Sequence, residues 1–331
     1  MAALKLRIKQ HYDGASVRAR RARAAGFARA LSRARPRSHL RISPARGAAR
    51  PHPPPPHPAR AGCSPHYQEL WGHHIHHGLW RPGKEDLSKE VAQEVLVDEL
   101  IAAARLPARA KVLDVGCGVG GTSIKLAAAG HEVTGVSLSP KQIEMAKENL
   151  ARLAPGAAVR FLEMDGEKLD FPGEDGTFDA VWISEALSHF PHKEHFFAHA
   201  LRLLKPGGKW VCVDWFKADN LGPKMTQGVI ADIELGMLLP PLRTVLDYAN
   251  MFTAAGGRVL FVDDISKETA KTWDICLDLI AKPAVWSLAM AMGTDFIAFL
   301  KSFNAMKAGF ATGAFRFTII VGEKPVDEQV E

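Results

Sequence analysis

Cysteine is scarce in this 331-residue chain: four residues, at 63, 117, 212 and 276, with no Cys-x-x-Cys pair and no metal-ligand spacing. A disulfide scaffold and a structural zinc site are therefore excluded, and free thiols in a reducing compartment are expected. Long apolar runs are also lacking. The nearest candidate, 284–292, falls short of the roughly 18 residues that a membrane helix needs, and Asp295 follows it. No stable membrane insertion is expected. The third lack is local: between Val17 and Gly62 stand twelve arginines and no aspartate, glutamate or lysine. Those twelve charges exceed the net +6 of the whole chain, so the remainder is mildly acidic. The basic balance thus gives no argument for nucleic acid as a partner.

Residues 17–63 are dominated by Arg, Ala and Pro, including the run from Pro51 to Pro58. Such a composition cannot bury enough apolar surface to fold and reads as disordered. Three readings compete: a foreign in-frame insertion, an organelle transit peptide and a polybasic arm for an anionic surface. The insertion is favoured, because excision joins Tyr12-Asp13 to Pro65-His66-Tyr67 and restores a continuous motif. The expected organisation is then 1–16 as the start of a lid, 17–63 as the insert and 64–331 as the folded domain. The compartment is cytoplasmic, or an organelle on the transit-peptide reading.

The folded part is organised around residues 112–121, Val-Leu-Asp-Val-Gly-Cys-Gly-Val-Gly-Gly. A buried strand runs into a glycine-rich turn and then a helix, the arrangement that brings backbone N–H groups against a ligand at the first βα unit of an open sheet. Gly116-x-Gly118-x-x-Gly121 satisfies the dinucleotide fingerprint, but the acid expected about 20 residues on is missing, since the second strand ends in Ser137-Leu138-Ser139-Pro140. The dehydrogenase reading is set aside. Strands at 159–163, 178–183 and 209–215 alternate with helices at 140–153 and 192–204, which spells an α/β, doubly wound, mostly parallel seven-stranded Rossmann-like sheet. An amphipathic helix over 86–104, with Leu87, Val91, Val95 and Leu96 on one face, precedes the first strand. Helical stretches at roughly 217–256 and 273–310 interrupt the alternation and read as a cap over a pocket. Strands at 259–263 and 315–322 close the pattern. Met225, Met237, Met251, Phe252, Trp286, Met290, Met292 and Phe296 populate that cap and suit an apolar small-molecule acceptor.

Leu113-Asp-Val-Gly-Cys-Gly-x-Gly120 resembles motif I of the S-adenosylmethionine (SAM) dependent methyltransferases. Gly135-Val-Ser-Leu-Ser-Pro-Lys-Gln142, Leu239-Pro-Pro-Leu-x-x-Val-x-Asp-Tyr248 and Trp71-Gly-x-His-x-His-His-Gly-x-Trp80 narrow the resemblance to the tocopherol, sterol and cyclopropane-type group. It covers nearly the whole chain except 17–63. The resemblance implies a class I fold and SAM as cofactor. It also implies Asp114, Gly116, Cys117 and Gly118 near the cofactor's amino-acid end, and Ser137, Leu138 and Gln142 around the adenosine. Asp165-Gly166 falls where the adenine amine is bound, and Ser184 faces the methionine moiety. Tyr12, Tyr67, Trp71, His77 and Trp80 fall in the lid and substrate region.

His189 is the expected general base, one turn beyond the strand carrying Ser184, because imidazole titrates near neutrality. Glu185 is the second catalytic candidate. The histidines at 73, 74, 76 and 77 lack an acidic or cysteine partner at ligand spacing, so no metal is expected. The sequence thus reads as SAM-dependent methyl transfer to a small, hydrophobic metabolite at carbon, nitrogen or oxygen, with a SAM-binding but inactive scaffold as the alternative.

Overall fold

The computed structural model describes residues 72–281 and 294–326. The readings at Tyr12, Tyr67, Trp71, the 17–63 insert, Trp286, Met290 and Met292 lie outside those residues. In chain order the elements are α1 (Lys89–Ala104), β1 (Lys111–Val115), α2 (Gly121–Ala128), β2 (Glu132–Ser137), α3 (Pro140–Leu153), β3 (Val159–Glu163), β4 (Phe178–Ser184), α4 (Lys193–Leu203) and β5 (Leu204–Lys217). A helix then starts at Pro223, passes a π-turn at Thr226–Ile230 and becomes α5 (Ala231–Gly236). There follow α6 (Val245–Ala254), β6 (Arg258–Asp264), α7 (Lys271–Ile280), α8 (Thr294–Thr312) and β7 (Phe315–Glu323).

The strands form one sheet in the order β3-β2-β1-β4-β5-β7-β6. The first five run parallel and β7 lies antiparallel to both β5 and β6, which gives the expected mostly parallel seven-stranded sheet. Central strands of such a sheet are covered on both faces and read as continuous apolar runs. Alternation along each strand divides the core in two. Val112, Ala180, Trp182, Val211 and Val213 face α1 and the cap, while Leu113, Val115, Val181, Ile183 and Cys212 face the other way.

Two expected faces are corrected. Helix α1 begins at Lys89 behind the cap residue Ser88, and it buries Ala92, Leu96, Leu100 and Ala104, a 92-96-100-104 stripe. Val91 is left 46% exposed. Of the expected Leu87, Val91, Val95 and Leu96, Leu96 lies in the buried stripe and Val95 packs partly buried against the core, while Leu87 precedes the helix; apolar residues stand on both sides of this helix and only the sheet decides which side is covered. The cap is also smaller than expected. Helix α6 carries a capping box between Thr244 and Asp247, and its Tyr248 and Phe252 pack with Phe197 and Trp210 on the sheet face away from the cap. Met251 packs with that same cluster, so residues 245–254 belong to the sheet's helical layer. The cap proper comprises α5, α7 and α8, joined to β7 and β5 through Trp215, Trp273, Phe303, Met306 and Phe315.

Candidate active site

The chain leaves β1, builds β2 and β3 on one side, and returns to place β4 on the other. Ligands bind at the carboxyl ends of the strands at such a switch point, and a partly open cleft lies there. Each strand end contributes to it: Gly116 and Gly118 after β1, Ser137 and Leu138 at β2, Asp165 and Gly166 after β3, and Ser184 and Glu185 at β4. Gln142 on α3 and His189 on a 3₁₀ turn complete the expected set. Ile75, Met164, Phe190 and Pro191 also line the cleft. The sequence reading missed these four. Met164 and Phe190 adjoin singled-out residues, and Ile75 sits between two lid histidines, so adjacency was the only available signal.

The geometry of the glycine turn is specific. The Gly116 and Cys117 N–H groups donate to the Val136 carbonyl at 2.8 and 3.0 Å, fixing the turn to the end of β2. Gly118 has φ +54°, and the nearest atom to an added Cβ there is Ile75 Cδ1 at 4.0 Å, so its backbone faces the open cleft. Gly120 has φ +88°, and a Cβ there would stand 2.7 Å from Phe161 Cζ. One glycine is presented to a ligand; the other is closed by packing.

At the second strand end, the Ser137 hydroxyl donates to Gln142 Oε1 at 2.8 Å, and it accepts from the Ser139 N–H at 3.2 Å. Ser139 caps α3 by accepting from the Gln142 N–H, with Pro140 in the first turn, as that tetrapeptide predicts. Asp165 accepts from the Glu167 N–H at 3.1 Å and so shapes its own turn. Ser184 Oγ accepts from Trp182 Nε1 at 3.0 Å, which anchors the residue at the end of β4 where it lines the cleft.

Asp114 and Cys117 line a smaller recess that adjoins the cleft and shares Ile75, Gly116, Gly118 and Ser184 with it. Burial raises the Asp114 carboxyl to about 6, against the opposing hydrogen bond from Ser123 Oγ at 2.5 Å. Burial likewise pushes the Cys117 thiol well up, which makes it a packing residue rather than a nucleophile.

The lid segment enters the recess through His73, His74 and His76. Gln93 of α1 donates to the carbonyls of both His74 and His76 at 2.8 Å. The imidazoles form a chain in which His76 Nε2 meets His74 Nδ1 at 3.0 Å and His74 Nε2 meets Glu94 Oε1 at 2.8 Å. Hydrogen bonds from His74 and then Lys125 hold Glu94 down at about 2, while burial drives His76 down to about 3 and keeps it neutral. Among the described residues no group of three or more His, Cys, Asp or Glu is placed to hold a metal ion.

Three expectations require correction. Glu185 has φ +51°, and its carboxylate accepts from the His77 N–H at 2.6 Å and from His77 Nδ1 at 2.9 Å. The expected acid at the β4 end is therefore committed to the lid. His77 itself is fully buried behind Glu185 and does not line the cleft. Trp80 lies outside the cleft as well: its indole donates to the Leu87 carbonyl at 2.9 Å, and Lys271 sits 5.4 Å over its ring. An aromatic motif gives chain positions but not the side of the lid each ring occupies.

The sequence reading also missed Asp214 and Lys193. Asp214 is fully buried in β5 and accepts from the Ser188 and Trp215 N–H groups at 2.7 Å. Lys193 donates to the carbonyls of Ser188 and Phe190 at 3.3 and 2.8 Å. Together they brace the turn that carries His189. Burial raises the Asp214 carboxyl and lowers the Lys193 ammonium. An acid inside the run Val211-Cys-Val-Asp-Trp-Phe216 was the available signal.

A strand-end cleft of this construction, with a glycine turn, a hydroxyl residue closing the second strand and a helical cap, defines a nucleoside-cofactor enzyme of the class I methyltransferase architecture. Comparison with known proteins agrees. Residues 112–208 match the family described as Methyltransferase domain. The chain is 32% identical over 210 residues to 27-O-demethylrifamycin SV methyltransferase of Amycolatopsis mediterranei (strain S699), covering 62% of this chain and 74% of that one. It is 29% identical over 279 residues to the chloroplastic tocopherol O-methyltransferase of Arabidopsis thaliana, covering 78% of this chain and 79% of that one. Among solved structures, a putative sarcosine dimethylglycine methyltransferase from Galdieria sulphuraria superposes with a TM-score of 0.69 at 20% identity, over 80% of this chain and 97% of that one. The chain belongs to the SAM-dependent methyltransferases of the class I fold, in the tocopherol and sterol type. Its cofactor is S-adenosylmethionine, and it is an enzyme of methyl transfer. No helix among the described residues is long and apolar enough to cross a membrane.

Proposed function

We propose that the strand-end cleft holds S-adenosylmethionine and that the acceptor is a small hydrophobic metabolite bound beneath the cap. The observation that carries the reading is the convergence of four strand ends on one cleft, opposite a cap built from aromatic and aliphatic side chains. The cleft fits the cofactor on its own terms: an open backbone face at Gly118 for the amino-acid end, a polar recess at Asp114 for its charged group, and Met164, Ile75 and Phe190 as apolar walls for a planar base. Gly116, Gly118 and Ser184 hold the amino-acid end, Ser137, Leu138 and Gln142 the ribose and adenine edge, and Asp165 with Gly166 the far side of the base. Asp114 acts from the recess, through its negative charge. When bound, the cofactor supplies a methyl group on a sulfonium, already a good leaving group, so alignment provides much of the rate. The chain's own part is to place the acceptor atom in line, exclude water beneath the lid and cap, and hold any proton released. His189 lines the cleft with its ring 5.8 Å from Trp215 and orients the acceptor from the cofactor side.

The relatives named above act on a rifamycin and on tocopherol, and a bulky, apolar acceptor is proposed here on the same grounds as the cap's composition. The test combines calorimetry with S-adenosylhomocysteine and a screen of hydrophobic acceptors with methyl-labelled SAM. Binding together with labelled product on an apolar acceptor is expected. Tight binding without turnover on any acceptor would favour a SAM-binding scaffold instead. Absence of binding would remove the cleft assignment.

A further inference from the structure

We propose that β6 is an interface between two copies of this chain, paired antiparallel about Phe261 so that their two sheets continue into one. The strand ends the sheet, with β7 on one side and, among the described residues, no strand on the other. An edge of this kind presents unpaired N–H and C=O groups, and natural edges are blunted with lysine, proline or inward charge. β6 reads Arg258-Val-Leu-Phe-Val-Asp-Asp264, without lysine or proline, and its charges stand only at the two ends. Between them Leu260, Phe261 and Val262 are 46%, 43% and 47% exposed. The opposite edge of the sheet differs: β3 buries Phe161 and exposes Arg160 and Glu163.

The order of residues along β6 selects the occupant. The strand begins with a cation and ends with acids, and an antiparallel copy runs in reverse, so it brings acid to base at both ends. Centred on Phe261, the pairing sets Leu260 opposite the partner's Val262 and Phe261 opposite the partner's Phe261. Arg258 then meets the partner's Asp264, and two-fold symmetry repeats each pair. A parallel copy would oppose cation to cation and acid to acid, which destabilises a strand pair.

Both end groups are fixed yet accessible. Arg258 donates to Glu323 through Nε at 3.1 Å, and its side chain is 67% exposed. Asp264 accepts from the Ser266 N–H at 3.1 Å, lies 3.8 Å from Arg316 and keeps 46% of its side chain exposed. Register against β7 shifts once, between Val259 and Phe261, and is regular from there to Asp264, so β7 holds the strand extended for a second pairing. Exposed ion pairs contribute little affinity; here they set direction and register, while the apolar centre and the ladder hydrogen bonds hold the copies together. Seven residues of strand are few beside the roughly 20–30 residues a side of a standard interface, so the dimer should dissociate over about 1–100 µM.

The test is sedimentation velocity of the full chain across that range at low salt, with amide deuterium exchange of wild type at its two ends. Wild type is expected to pass from monomer to dimer, and the amides of 258–264 to gain protection as it does. Val262→Lys puts a charge at the exposed centre and should raise the dimer dissociation constant at least about tenfold, with S-adenosylhomocysteine affinity unchanged. Arg258→Glu and Asp264→Lys should each self-associate about tenfold more weakly, because every substitution counts twice in a symmetric pair. Mixed together, those two variants should associate again, since each end pair then joins one acid to one base. A wild type that stays monomeric throughout, with 258–264 equally protected at both concentrations, would show the strand covered by its own chain or by nothing, and overturns the proposal. A dimer that Val262→Lys leaves unchanged places the interface elsewhere and overturns it too. A mixture no tighter than either variant alone rules out the antiparallel pairing. Where a variant fails to fold, the wild-type exchange decides: dimerisation without added protection at 258–264 refutes the interface.

Discussion

The two glycines at the turn give a sharp separation between binding and folding. Gly118 and Gly120 are two residues apart, both left-handed, and they face opposite ways. Replacing Gly118 by alanine adds a methyl where nothing of the protein stands closer than 4.0 Å. The fold therefore meets only the backbone strain of a left-handed residue with a Cβ, about 1 kcal/mol. Replacing Gly120 adds the same strain and drives a methyl to 2.7 Å from Phe161 and 3.0 Å from the Ala146 side chain, both in the interior between α3 and β3. Overpacking of that kind brings the total to about 3 kcal/mol. For a domain of this size those figures correspond to roughly 2–4 °C and 6–12 °C in the unfolding midpoint. Ligand affinity should follow the reverse order. The Gly118→Ala methyl occupies the face offered to the cofactor, so a loss of at least about tenfold, or 1.4 kcal/mol, is expected for S-adenosylhomocysteine. Gly120→Ala, where folded, should bind within about threefold of wild type. Calorimetry and thermal melts on the two variants decide the matter. Wild-type affinity in Gly118→Ala, or a larger midpoint loss there than in Gly120→Ala, would refute the assignment of faces.

Two titratable groups give further tests. Asp114 has a carboxyl raised by burial to about 6, so its charge is present above that pH and lost below it. S-adenosylhomocysteine affinity should fall by up to about tenfold per pH unit below 6 as one proton is taken up, and Asp114→Asn should flatten the profile. Because the folded value lies above the unfolded one, this group favours the fold only at low pH, and that contribution is gone once pH has risen through 6. Asp114→Asn should accordingly hold or raise the midpoint at pH 8, and a clear drop would refute the burial argument. Lys193→Met removes the donor to the Ser188 and Phe190 carbonyls and a cation near Asp214. Each carbonyl left without a donor where water cannot reach costs about 1–3 kcal/mol. The electrostatic share should be largest near pH 7–8, because burial holds the Asp214 carboxyl neutral below about 7 and the Lys193 ammonium neutral above about 8. A pH-independent penalty in urea unfolding would refute the electrostatic share.

Most of the sheet was legible in the sequence. β1 and β4 are mostly apolar runs bounded by Gly, Asp or Ser, and a parallel strand buried on both faces leaves that trace; β3, at the sheet edge, buries only Phe161. The cofactor cleft was legible for a related reason: in this architecture the ligand meets the residues that end each strand, so finding the strands finds the lining. What was not legible depends on contacts distant in the chain. The bond between His77 and Glu185 spans 108 residues, and neither residue's local pattern announces it. Trp80 and His77 stand three apart in one motif, yet one ring lies under Lys271 and the other inside the cap. Helix α6 has an apolar face that would suit a cap as well as a sheet, and only its packing on α4 and β6 decides.

The lid ties these parts together, which leads to a last prediction. Within ten residues it contributes His73, His74 and His76 to the polar recess, His77 to Glu185, the Gly78 N–H to Thr272 Oγ1 at 3.2 Å and the Trp80 N–H to the Glu268 carbonyl at 2.8 Å. Those partners lie at the cofactor cleft, the end of β4 and the α7 region of the cap, so displacement of the segment disturbs cofactor and acceptor sites together. Gln93 controls it from outside. The side chain is 1% exposed, does not line the cleft, and bonds two lid carbonyls through one amide nitrogen. Gln93→Leu keeps the volume but leaves both carbonyls without that donor, at about 1–3 kcal/mol for each that water cannot reach. If the lid couples the two sites, part of that cost appears as displacement rather than unfolding. S-adenosylhomocysteine affinity and kcat/KM for the acceptor should then both fall at a temperature well below the midpoint. Wild-type turnover in a Gln93→Leu protein with a lowered midpoint would show that the lid is held adequately by its remaining bonds and that the coupling is absent.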